Sequence, residues 1–114
     1  MKEKIHVGFW GHAPGSVMAK LDPKNTYPMP EPRPGPWRGQ RDFLAALTLV
    51  EQKAEVTYYK GSSFCRCCAN RGNGSREYSK AQFVWPEGYR HYVEEHNVKP
   101  PQEFIDFIME ESLW

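Results

Sequence analysis

Two thiols and two imidazoles, spaced Cys65-x2-Cys68-x22-His91-x4-His96, constrain this chain more than any other feature. They form the donor set of a closed tetrahedral zinc site. Such a site weighs heavily in a chain of 114 residues with 39% apolar content. A core of that size is modest, and a structural metal contributes folding free energy outright.

A Cys-x2-Cys pair at a turn puts two sulfurs on one side of a tight knuckle. The two histidines fall on a predicted helix and at its end. Their offset is five residues rather than four, so the helix must tighten or unwind near His96 for both rings to reach one ion. Paired histidines with three to five intervening residues are within the usual window for zinc. The order of strand, knuckle, β segment and helix is that of a ββα finger with an enlarged loop. Here 22 residues separate Cys68 from His91, where short fingers use about 12. Cys67 stays open as a thiolate in place of Cys65 or Cys68, or as a small apolar group. Four protein ligands, Cys65, Cys68, His91 and His96, leave Zn2+ no open position, which argues against zinc-dependent hydrolysis.

The rest of the chain reads as a small single domain. Ile5, Val7 and Phe9 alternate with polar neighbours, so residues 3–10 are predicted as a strand. Alternate prolines from Pro28 to Pro36 block a helix and leave a stiff strap across the protein's own surface, with Tyr27 and Trp37 as anchors. Phe43, Leu44, Leu47 and Val50 recur at helical spacing after Gly39. Residues 55–59 are rich in strand formers. Residues 77–85 alternate as one long strand or a tight hairpin. Pro86 suits the first position of a helix running to His96, with Asn97 as terminator. A last helix follows Pro100-Pro101, with Phe104, Ile105, Ile108 and Met109 as its apolar stripe. The expected organisation is an N-terminal strand plus strap (1–38), a helix (39–54) and a zinc-finger-like unit with a C-terminal helix (55–114). The fold class is α+β, with a short antiparallel sheet and two to three helices.

A formal net charge of +1 gives no global field for nucleic acid or an anionic membrane. Residues 60–80 are locally basic, and residues 94–114 are strongly acidic. Three cysteines, two of them adjacent, fit a disulfide framework poorly. With no signal-length apolar segment after Met1 and no membrane-length apolar window, a reducing, cytoplasmic setting is the simplest reading.

Arg66, Arg71, Asn73 and Arg76, with the backbone N–H groups of Gly72 and Gly74, are the candidate ligand-binding residues. Together they could make an anion-accepting loop beside the metal. The leading expectation is therefore a zinc-stabilised binding protein whose partner is a host protein or a small anionic ligand. Nucleic-acid binding through the finger-like unit is the alternative, opposed by Glu87, Glu94 and Glu95 on the helix that would enter a groove. No nucleophile elbow, phosphate loop or His-Glu-x-x-His motif appears, so no catalytic residue is assigned and an enzyme is not expected.

Phe64-Cys-Arg-Cys-Cys68, Trp85-Pro-Glu-Gly-Tyr-Arg-His-Tyr-Val-Glu-Glu-His96 and Val98-Lys-Pro-Pro-Gln-Glu-Phe104 resemble a family of small bacterial and bacteriophage proteins of unassigned function. The resemblance covers roughly residues 56–108. In that family the knuckle is Cys-Arg-aliphatic-Cys-Gly. Cys67 stands here at the aliphatic position and Ala69 at the glycine, which implies that Cys65 and Cys68 are the ligands and Cys67 is spare. The resemblance implies a metal-stabilised domain. Its phage members suggest an accessory or anti-defence role, masking a host protein or sequestering a nucleotide.

Overall fold

In the computed structural model, which describes residues 4–12, 15–58, 65–68 and 73–114, the helical periodicity after Gly39 becomes a helix, Gln40–Glu51. It buries Phe43, Ala46, Leu47 and Val50. Gly39 caps it at φ +90°, a left-handed conformation that a residue with a Cβ rarely adopts. The helix Gln102–Glu111 starts just after Pro101 and buries Phe104, Ile105 and Ile108. Met109, expected in its apolar stripe, is partly exposed. A short helix at Val17–Leu21, which no periodicity announced, precedes both and buries nothing. Counting from it, these are α1 (Val17–Leu21), α2 (Gln40–Glu51), α3 (Tyr89–His96) and α4 (Gln102–Glu111).

The strands are β1 (Ile5–His6), β2 (Glu55–Tyr58), β3 (Arg76–Lys80) and β4 (Phe83–Pro86), in the spatial order β1-β4-β3-β2. The α+β class holds, with four helices and a mixed sheet rather than a purely antiparallel one. β2, β3 and β4 pair antiparallel, whereas β1 runs parallel to β4 with Ile5 opposite Phe83. The alternating stretch at 77–85 resolves as a hairpin. Lys80 faces Phe83 across a two-residue turn in which Ala81 takes φ +53°. Pro86 ends β4 instead of opening the helix, and α3 begins after Gly88. The residue after Pro86 continues the pairing with β3, the Glu87 N–H donating to the Arg76 carbonyl at 2.9 Å.

Phe83, Val84 and Trp85 are all buried. That continuous apolar run fits a strand with neighbours on both sides rather than the solvent-facing alternation of an edge. Phe104 is the hub of the core, with ring centroids 5.3 Å from Phe83, 5.4 Å from Trp85, 6.0 Å from Tyr89 and 6.1 Å from Phe43. Each such pair adds to the apolar area removed from water.

The proline strap lies where its stiffness suggested. The Gly11 N–H donates to the Pro28 carbonyl (2.9 Å) and the Arg33 N–H to the His96 carbonyl (2.9 Å). Tyr27 stacks on Phe9 at 5.9 Å. Trp37 is buried and its indole N–H donates to the Val98 carbonyl at 3.2 Å. Gly11 is required here, since a Cβ on it would stand 2.1 Å from the Tyr27 carbonyl oxygen. Among the described residues no helix is long and apolar enough to cross a membrane.

Candidate metal centre

Cys65 to Cys68 make a tight bend, and the Cys67 N–H folds back to donate to the Cys65 sulfur at 3.3 Å. An N–H aimed at a sulfur favours its thiolate form. Opposite the bend, α3 supplies both imidazoles. His91 lies in its second half-turn, and His96 is its last residue.

The five-residue offset is accommodated by the helix end. The Asn97 N–H donates to the Tyr92 carbonyl, five residues back instead of four, and Asn97 itself is left-handed at φ 56°. This closing turn is wider than a regular α turn. Residues five apart thereby approach one face, and the two rings come to 5.1 Å between centroids. Asn97 suits the position because a short amide tolerates the left-handed region. Its side chain is also used, accepting from Gln40 Nε2 at 3.0 Å and donating to the Arg33 carbonyl at 3.2 Å.

Cys65 Sγ lies 3.3 Å from His96 Nε2, and Cys68 Sγ lies 3.3 Å from His91 Nε2. All four donor atoms fall within 4.8 Å of one another. With metal–sulfur bonds of about 2.3 Å and metal–nitrogen bonds of about 2.0–2.1 Å, the edges of a tetrahedron come to about 3.4–3.8 Å. The residues therefore fit a four-coordinate ion with little movement. Cys67 is not among the four.

Burial acts on both Cys65 and Cys67. Burial raises the Cys65 thiol above its ordinary value, opposed by the N–H of Cys67. A bound cation would reverse that balance, since a coordinating thiol is deprotonated outright. Burial and the neighbouring sulfurs push Cys67 up to about 11, so it stays a neutral thiol at physiological pH. His91 is held below its usual value by burial and by the nearby His96 ring, which favours the neutral imidazole that a metal needs.

The surroundings are built to hold the bend. The Arg66 N–H donates to the hydroxyl of buried Tyr92 at 2.7 Å, locking the knuckle to α3. The Arg66 guanidinium donates through Nε to the Gly11 carbonyl at 3.2 Å and reaches the Trp10 carbonyl at 3.4 Å. Tyr92 and the Trp10–Gly11 carbonyls escaped the sequence reading. A tyrosine between two ligand histidines was the available signal for the first. Nothing local marks a backbone carbonyl distant in sequence.

Of the residues expected to accept an anion, Arg71 lies outside the described residues. Arg66 is spent on the two carbonyls above. Asn73 is buried, its carbonyl and amide so close to Gly88 that a Cβ there would fall within 2.7 Å of both. Arg76 is exposed, its guanidinium 5.3 Å above the Tyr58 ring and its Nε 3.7 Å from Glu87. The Ser75 N–H donates to Glu87 Oε1 at 3.0 Å, and Gly74, at φ +90°, packs against the same carboxylate. The chain's own Glu87 thus sits where an external anion was expected.

The chain matches no family model, no curated protein and no solved structure.

Proposed function

We propose that this protein is a small binding module clamped by one zinc ion, held by Cys65, Cys68, His91 and His96. The observation that carries this reading is the convergence of two sulfurs and two imidazole nitrogens within 4.8 Å. Two thiolates and two imidazoles are a mixed soft and borderline donor set, suited to zinc over the oxygen-seeking cations. All four positions are filled by protein, so the ion's work is to hold the knuckle against α3. In that frame β3, β4 and α3 follow the knuckle as the ββα part of a finger-like unit with a long connection.

A closed site displays a surface rather than activating water, which favours binding over hydrolysis. The partner class remains a host protein or a small anionic ligand, in keeping with the phage-type proteins that the chain resembles. Nucleic acid is disfavoured by exposed Glu94 and Glu95 on α3, which repel phosphate. Elemental analysis of the purified protein is expected to find one zinc per chain. Cobalt substitution should give thiolate-to-metal charge transfer and strong tetrahedral d–d bands, both weakened in Cys68→Ser and lost when Cys65 is replaced by serine as well. Folded protein that excludes both metals would overturn the reading.

A further inference from the structure

A cleft of about 520 Å3 opens on the side of the molecule where the proline strap meets the N-terminal strand and the α3–α4 connection. Its volume is in the range of small-molecule sites. Three kinds of chemistry line it. Phe9 and Tyr27, stacked on each other at 5.9 Å, and Trp10 supply aromatic surface. Arg33 and Lys99 supply positive charge, and Glu31 a single carboxylate.

None of these three charged side chains is in an ion pair or a side-chain hydrogen bond among the described residues, unlike Arg66, Arg76 and Arg90. Their backbones are nonetheless fixed. Arg33 is held on both sides, by its N–H to the His96 carbonyl and by its carbonyl from Asn97 Nδ2 at 3.2 Å. The Trp10 carbonyl accepts from Asn25 Nδ2 at 3.0 Å, and the same side chain's Oδ1 accepts the Tyr27 N–H at 3.0 Å. Trp10 lines the cleft, and its indole N–H is buried with no acceptor among the described residues. A buried donor without a partner costs free energy.

We infer that this cleft binds a ribonucleoside monophosphate. A base has the flat face for the aromatic wall of Phe9, Trp10 and Tyr27. A ribose diol has donors for Glu31. A phosphate has the charge for Arg33 and Lys99. Neither an apolar ligand nor a bare anion uses all three, because each would leave charged or aromatic wall unmatched. The inference rests on the binding-module reading and names its ligand. The metal enters only indirectly, through α3, whose last carbonyl holds Arg33.

The test titrates AMP and UMP into the zinc-loaded protein, following Trp fluorescence and calorimetry, with metal content measured on the same sample. Saturable binding is expected, falling steeply with salt. Adenosine, lacking phosphate, and ribose 5-phosphate, lacking the base, should each bind about tenfold more weakly, as loss of a charge-assisted contact or of one stacked base implies. Arg33→Ala with Lys99→Ala should remove the advantage of AMP over adenosine and leave adenosine binding intact. Glu31→Gln should narrow the preference for AMP over its 2′-deoxy form. Zinc-loaded protein that binds neither monophosphate overturns this inference and leaves the clamp standing. Equal binding of inorganic phosphate and AMP, or AMP affinity untouched by the double variant, overturns it as well. Protein that lacks zinc yet binds AMP at this cleft supports the inference while removing the clamp.

Discussion

Around Phe104, four aromatic rings from α2, β4 and α3 close within about 6 Å, and Phe43, Trp85, Leu47 and Ile108 are fully buried beside it. At the knuckle, by contrast, Cys65 reaches the core and Cys67 packs against it, but Cys68 is exposed, and much of the bend is held by hydrogen bonds to Tyr92, Gly11 and Trp10. The first region gains its stability from apolar area removed from water. The second has too little such area to fix a four-residue bend, and without an ion it brings two thiols and two imidazoles together for little return. The contrast explains why one chain carries both an aromatic core and a metal-ligand set. Burial builds the scaffold, and in the proposed clamp coordination would set the position of the part that burial holds least.

The most severe way to break this contrast is to remove the ion. If the proposed clamp holds, chelation, or Cys65→Ala, should lower stability by more than the about 3–5 kcal/mol of a large core truncation, because metal binding and folding would then be one equilibrium. Loss should spread from the knuckle, since α3 places Tyr89, Tyr92 and Val93 in the shared core. Hydrogen exchange should show α3 amides exposed before those of α2 and α4. An apo protein melting within a few degrees of the holo form would show that the core alone suffices.

Phe104→Ala attacks the other side. It should cost about 3–5 kcal/mol in chemical denaturation while the folded fraction keeps the zinc content of the native chain, because Phe104 is not itself one of the four proposed ligands. If that variant loses zinc in proportion to stability, the two regions are a single unit and the distinction fails. A smaller effect belongs to Gly8→Ala. Gly8 has φ +82°, and a Cβ there would fall 2.5 Å from the Tyr89 ring. Overpacking against a fully buried ring should cost about 1–3 kcal/mol, read as a shift in the denaturation midpoint. It should leave the cobalt spectrum unchanged, since Tyr89 is on the core side of α3.

The core side was legible where periodicity was strong. Phe43, Leu47 and Val50 at helical spacing, and Phe104, Ile105 and Ile108 after a proline pair, report faces that must be buried. The convergence of Cys65, Cys68, His91 and His96 was legible because thiols and imidazoles at these spacings have few other uses. The parallel pairing of β1 with β4 was not, since Ile5 and Phe83 are 78 positions apart and no local pattern encodes strand direction. Pro86 misled because proline suits the last position of a strand as well as the first of a helix, and the choice was made by register against Glu77. Glu87 was read as a helix residue, yet it lies before α3 and accepts the Ser75 N–H. That role depends on a loop folding back, which composition does not reveal.

The two regions are joined by a polar tie whose titration gives the finest test. Glu51, on α2, accepts from the Trp85 indole at 3.0 Å through one oxygen and from Arg90 of α3 at 3.2 Å through the other. Arg90 also donates to Thr48 Oγ1 at 2.8 Å and to the Leu44 carbonyl at 3.3 Å. Burial raises the Glu51 carboxyl above its ordinary 4.5, only partly opposed by the Trp85 hydrogen bond and the Arg90 charge, with Glu87 adding to the rise. A carboxyl raised by folding contributes stability that is complete below the unfolded value and is lost as pH climbs through the folded one. Between about pH 4.5 and that raised value, Glu51 therefore makes the protein less stable with rising pH. Metal binding runs the opposite way, because thiol and imidazole ligands must shed protons. The two are separated by comparing the native chain with Glu51→Gln at saturating zinc. The difference in unfolding free energy should slope with pH in this window and be flat above it, while zinc stoichiometry stays the same. A flat difference throughout would mean that Arg90 and Trp85 fully compensate the buried charge, so that the tie between core and knuckle is neutral to protonation.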